Sequence, residues 1–149
     1  MHDDNEAQQK TRIMALDLGT RRIGIAVTDA LGITAQGLPT LERKNKREDL
    51  FRLGKVIHQY NVSEIVLGNP VRMSGEEGTA SARSQHFAEM LRDKFKLPVH
   101  LQDERLTTAE AHRVLDAAEV PGIRRKQMID ELAAVLILQQ FMAQRANRE

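Results

Sequence analysis

Three carboxylates stand where a charge is costly. Asp17 lies inside the run Ile13-Met14-Ala15-Leu16-Asp17-Leu18. Strand alternation puts it on the face shared by Ile13 and Ala15, where an unpaired carboxylate costs several kcal/mol. A structural Asp bonded to the turn amides at Gly19–Arg21 fits that position as well as a functional one does. Glu104 follows the apolar run Pro98–Gln102, at the C-terminal end of a strand, where open α/β sheets place their sites. The plainer explanation is a loop charge paired with Arg105. Asp130 is followed three, four and seven residues on by Ala133, Ala134 and Ile137, which places it on an apolar helix face directed at the sheet. The alternative is a charge that favours the first turn through the helix dipole, and Glu131 fits that at least as well.

Three such carboxylates repel one another unless divalent cations hold them together. The chain has no Cys and no H-E-x-x-H, so an all-oxygen site favours Mg²⁺ or Mn²⁺ over zinc. Two such ions ~3.5–4 Å apart activate water and stabilise a leaving alkoxide in phosphodiester cleavage. Other chemistries fail on spacing. Gly19 and Gly24 fit the start of a P-loop, but Ile25 stands where Lys is needed. There is no G-x-S-x-G, and the histidines (His2, His58, His86, His100, His112) are scattered. Asp29 would sit opposite Arg12 in a tight hairpin, about 17 Å from Asp17 at ~3.4 Å per residue, too far to share a metal.

These residues need elements to position them. Arg12–Leu18 and Ile23–Asp29 are β-rich runs flanking Gly19-Thr20-Arg21-Arg22, which predicts a hairpin. A third run near Leu38–Leu41 follows turns at Gly32 and Gly37. From Arg47 the period becomes helical through Leu50, Leu53, Ile57 and Tyr60. Glu64–Gly68 is the next strand, followed by a loop with Pro70, Gly75 and Gly78. A helix with Phe87, Met90 and Leu91 inward then runs to about Phe95, and Pro98–Gln102 is the fifth strand. Thr107 and Glu110 form a capping box that opens a helix near Thr108. Pro121-Gly122 interrupts it, and a last helix runs from about Gln127 to Ala143. The order predicts an α/β fold: one mixed sheet flanked by helices.

The chain has 149 residues and a net charge of +1, from 22 basic and 21 acidic residues. That length suits one domain, expected over 12–149 after a polar extension at 1–11. Aromatics make up only 3%, which argues against a base-stacking platform. The missing Cys fits a cytoplasmic protein, and the longest apolar run, Leu132–Leu138, falls short of the ~20 residues of a membrane span. Basic residues cluster at Arg21-Arg22, at Arg43-Lys44-Asn45-Lys46-Arg47 and at Arg124-Arg125-Lys126. Two of these clusters adjoin the proposed site, as expected for phosphate-backbone contact.

Leu16-Asp17-Leu18-Gly19-Thr20-Arg21-Arg22-Ile23-Gly24-Ile25-Ala26-Val27-Thr28-Asp29, Asp103-Glu104-Arg105-Leu106-Thr107-Thr108 and Ile129-Asp130-Glu131-Leu132-Ala133-Ala134 together resemble the YqgF family. Its members are named both pre-16S rRNA nucleases and Holliday junction resolvases. The resemblance runs from about Arg12 to Met142. It implies an RNase H-like fold related to the RuvC resolvases, with β1-β2-β3 antiparallel and β4 and β5 parallel. It also implies nuclease chemistry with two Mg²⁺ or Mn²⁺ ions on Asp17, Glu104 and Asp130. Thr20, Arg21, Arg22, Arg105, Arg124, Arg125 and Lys126 are the expected phosphate contacts. The loop Gly68–Gly75 departs from the family pattern, which has Leu at Asn69, Asn at Arg72 and Asp at Ser74. The expected substrate is RNA, as pre-rRNA; branched DNA is the alternative, and a non-catalytic ribosome- or nucleic-acid-binding module a third. A monomer or a homodimer is compatible with these readings.

Overall fold

The computed structural model of the chain describes residues 11–70, 79–104, 113, 116–118 and 122–148, without the side chains of 70, 79, 80, 104 and 122–127. The polar start, the opening of the helix expected near Thr108 and most of the loop after Gly68 lie outside the described residues; Arg113, Asp116 and Ala117, within that expected helix, are helical. Strands β1 (Arg12–Leu18), β2 (Arg22–Thr28) and β3 (Ala35–Glu42) form an antiparallel meander, and β4 (Val62–Pro70) and β5 (Val99–Glu104) run parallel to β1. The sheet order is β3-β2-β1-β4-β5.

Helices α1 (Lys46–Gln59) and α2 (Thr79–Phe95) cover one face of the sheet, and α3 (Gly122–Arg148) covers the other. Alternation along β1 divides the core. Met14 and Leu16 pack with Leu53, Phe87 and Leu91 on the first face, while Ala15 packs with Ala134, Ile137 and Leu138 on the second. Asn45 caps α1, its side-chain oxygen accepting from the Glu48 amide at 2.9 Å. Behind that cap the buried Asp49 accepts from the Lys44 amide and from Arg43 and Arg52.

Two expectations need correction. Gly37 is not a turn residue: it lies within β3, paired with Ala26. The last helix begins at Gly122 rather than near Gln127 and runs on to Arg148. The stretch Gly122–Lys126 has no apolar period, so nothing in its pattern marked it as helical.

The far end of α3 is tied to the sheet by Glu64, at the start of β4. Arg145 engages both of its carboxylate oxygens, with Nη1 at 2.9 Å from Oε1, and His100 Nε2 lies 2.6 Å from Oε2. The Arg145 hydrogen bonds hold the Glu64 carboxyl below its usual range, with His100 adding to the effect. A depressed folded-state value means that this contribution is complete above the ordinary carboxylate range and is lost as pH falls through the depressed one. Glu64→Gln should therefore lower the melting temperature at pH 7 by ~2–4 °C, for about 1 kcal/mol in a partly exposed cluster, and the difference from wild type should shrink in acid. Thermal melts at pH 7 and pH 3 measure both.

Candidate metal and nucleic-acid site

Because β1, β4 and β5 are parallel, their C-terminal ends lie at one edge of the sheet. Asp17 is the penultimate residue of β1 and pairs with Gly24 of β2. Helix α3 crosses at that pair. A Cβ placed on Gly24 would stand 2.0 Å from the backbone oxygen of Asp130 and 3.4 Å from the Asp17 Cβ. One missing methyl group thus lets the helix backbone rest on β2 beside Asp17. Ala133 and Ala134, both fully buried, keep the next turn equally close. The sheet and the helix thus place the Asp17 and Asp130 positions on one face, on either side of Gly24.

Glu104 is the last residue of β5, in register with Pro70, rather than a residue just past the strand. Two strand spacings of ~4.8 Å separate β5 from β1. Its position shares the strand parity of His100, whose ring meets Phe141 of α3. Among the described residues no group of three or more His, Asp or Glu is placed to hold a metal, and the Glu104 side chain is not among them. The donors at the Gly24 crossing are carboxylate oxygens, which suit a hard divalent cation.

The Gly19 amide donates to the Arg22 carbonyl at 2.9 Å and closes the hairpin turn. Asp130 lies two turns into α3, beyond the reach of the dipole at the helix start. Asp29, at the far end of the hairpin, accepts from the Ile33 amide at 2.8 Å and the Thr34 hydroxyl at 2.9 Å, and these bonds, led by the Ile33 amide, lower its pKa. It stays away from the site, as the register arithmetic requires.

Arg22 is the cation of this site. Its Nε donates to Asp130 Oδ2 at 2.8 Å, and each side chain is 24% exposed. Sequence reasoning assigned Arg22 to phosphate and did not foresee this partner, 108 positions away in the chain. Thr20 and Arg21 lie exposed in the turn at the same sheet edge. Arg124, Arg125 and Lys126 occupy the opening turns of α3, upstream of Asp130, with side chains outside the described residues. Arg105 lies outside them altogether. The neighbouring Glu131 packs into the notch at Gly37, and burial raises its pKa.

Sequence reasoning treated Gly24 only as a failed P-loop position. A glycine inside a strand is itself a sign of close backbone approach, and that sign was available at both Gly24 and Gly37.

Residues 11–144 match the family described as RuvX, Holliday junction resolvase. A protein of Koribacter versatilis named "Putative pre-16S rRNA nuclease" is 54% identical over 134 residues, 90% of this chain and 88% of that one. One of the same name from Thermoanaerobacter pseudethanolicus is 43% identical over 138 residues, covering 92% and 99% of the two chains. Among solved structures, Thermus thermophilus RuvC in complex with a Holliday junction aligns with a TM-score of 0.51 at 14% identity, covering 91% of this chain and 96% of that one. The fowlpox virus resolvase in complex with junction DNA aligns at 0.54 and 13% identity, covering 90% and 98%. At such identities these two alignments establish a shared RNase H-like fold.

Proposed function

The chain belongs to the RuvX Holliday junction resolvase family, and from that premise we propose that it is a divalent-metal-dependent nuclease that trims the 5′ end of pre-16S rRNA. The observation that carries this reading is the seat at Gly24, where α3 sets Asp130 beside Asp17 with Arg22 already in contact. Asp17, Asp130 and Glu104 would hold Mg²⁺ or Mn²⁺, a pair of ions in the two-metal case. When bound, such ions supply an activated water and neutralise the departing oxygen in phosphodiester hydrolysis.

The chain's own residues do the rest. Asp17 and Asp130 supply negative charge at fixed positions, because one is held in a strand and the other on a helix seated on backbone. Thr20 and Arg21 offer a hydroxyl and a guanidinium to the phosphate backbone at the sheet edge. Arg22, half-buried, positions Asp130 and presents its remaining N–H groups to a phosphate oxygen. Arg105, Arg124, Arg125 and Lys126 are the further phosphate contacts of this reading. We take the catalytic unit as a single domain over 12–149.

Arg22 and a metal ion compete for the same carboxylate. Arg22→Gln should tighten Mn²⁺ binding by up to about fivefold, the ~1 kcal/mol of a partly exposed pair, and raise KM for RNA. Calorimetry with Mn²⁺ alone separates this from a purely supportive Arg22, whose loss would weaken the ion.

A second reading, a resolvase of four-way DNA junctions, is favoured by the family description and needs two sites facing one junction in a dimer. Incubation of the protein and Mg²⁺ with a pre-16S 5′ extension and with a four-way junction decides between them. The first reading expects RNA cut at the higher kcat/KM by a monomer or dimer. Faster junction cleavage by a dimer gives the second. Binding of RNA without cleavage of either substrate leaves a non-catalytic module.

A further inference from the structure

The Arg43–Arg47 basic cluster has no part in the reading above, yet it borders a cavity of about 300 Å³ at the same end of β1. That is the lower end of the ~300–1,000 Å³ range of ligand pockets. Leu18 ends β1 and faces the side opposite Asp17, so the cavity opens on the α1–α2 face, one residue from the metal site. Its walls are apolar: Leu18, Phe87 and Met90. Apart from Arg43, the rest of its lining is Ala82 with the basic side chains of Lys46, the first residue of α1, and of Arg83 and His86 on α2; among the described residues no carboxylate lines it.

Arg43 completes the lining and is held in place from three sides. It donates to the Gly19 carbonyl at 2.9 Å, contacts the buried Asp49 at 3.4 Å, and lies 5.9 Å from the centre of the Phe87 ring. Asp49 thus fixes Arg43 from behind the wall, and the Gly19 contact couples the cavity to the turn that follows Asp17. Lys46, Arg83 and His86 are exposed and make no ion pair with a described residue.

An apolar hollow with a cationic rim suits a group that is flat and apolar on its faces and joined to phosphates on both sides. We propose that this cavity receives one unstacked nucleotide of the substrate strand, its base against Leu18, Phe87 and Met90 and its flanking phosphates on Lys46 and Arg83. This rests on the nuclease reading. A strand that crosses the C-terminal edge of the sheet would then be gripped on both faces, with the scissile phosphate on the α3 side and the displaced base on the other.

The test uses the full chain in an Asp17→Asn background, which prevents cleavage, and a single-stranded RNA carrying one 2-aminopurine. Binding should raise its fluorescence as the base leaves the stack. Lys46→Glu with Arg83→Glu should weaken binding at least tenfold. The slope of log affinity against log salt should fall by about 1.4, for two contacts of ~0.7 each on a single strand. Ala82→Trp, an exposed position on the lining, should fill the hollow and abolish the fluorescence rise. In the cleaving protein these changes should raise KM and leave kcat within about twofold. RNA binding that keeps its affinity, salt slope and fluorescence rise in both variants overturns the proposal, leaves the nuclease reading standing, and turns the cavity over to an acidic peptide. If the parent chain binds neither RNA nor DNA, the nuclease reading falls first and this one with it.

Discussion

Asp17→Asn should abolish Mg²⁺-dependent cleavage, by about 10³-fold or more, and leave the melting temperature within about 2 °C of wild type. The fold change follows from charge. A metal site built on carboxylates contributes several kcal/mol to the transition state, and each ~1.4 kcal/mol is a factor of ten in rate. The amide keeps the shape of the carboxylate and removes the charge that holds the cation. Asp17 is half-buried at the end of β1, and the amide oxygen of Asn accepts hydrogen bonds as a carboxylate oxygen does, so the fold should be retained. Cleavage assays and thermal melts on the same preparation check both halves. Retained cleavage in a folded Asn variant would remove Asp17 from the chemistry.

Gly24→Ala has the largest expected effect on the fold. The added methyl would meet the Asp130 backbone oxygen at 2.0 Å, a contact no rotamer change relieves. Either α3 lifts from β2 or the strand bends, at ~1–3 kcal/mol, which corresponds to several degrees of melting temperature. Activity should fall further than stability explains, because a displacement of ~1 Å at a reacting centre costs about 10²-fold. Gly37→Ala is the internal comparison. The obstacle there is the Glu131 side chain, with Cγ and Oε1 both at 2.7 Å, and a side chain can swing aside. It should cost less stability and leave cleavage near wild type. Equal losses in both variants would mean that the Gly24 seat is nothing special.

The shared face of Asp17 and Asp130 was legible because each residue follows from a local period. Asp17 breaks a strand alternation, and Asp130 heads the i, i+3, i+4, i+7 face that Ala133, Ala134 and Ile137 continue; both periods survive in the structure. The hairpin register was legible too, since a tight turn at Thr20-Arg21 leaves one pairing. Gly24 and Gly37 were not. Their meaning lies in which helix crosses them, and the α3 residues concerned, Asp130 and Glu131, lie 106 and 94 positions further along the chain. Arg22 was assigned to phosphate for the same reason: its partner is distant. The start of α3 was missed because Gly122–Lys126 carries charge without periodicity. Glu64, Arg145 and His100 were passed over because their cluster unites β4, β5 and α3, and no single stretch of sequence contains it.

The crossing of α3 over β1 and β2 also sets a timetable. Every strand of the sheet precedes α3 in the chain, so a ribosome delivers the sheet first and Asp130 afterwards. Chains emerge at ~5–20 residues per second, and contacts between distant segments are the last to close. Until α3 docks on Gly24, Arg22 has no Asp130 and the proposed site lacks one of its three carboxylates. If Asp130 serves as proposed, a growing chain passes through its own synthesis as a latent nuclease and becomes competent in the same step that completes its core.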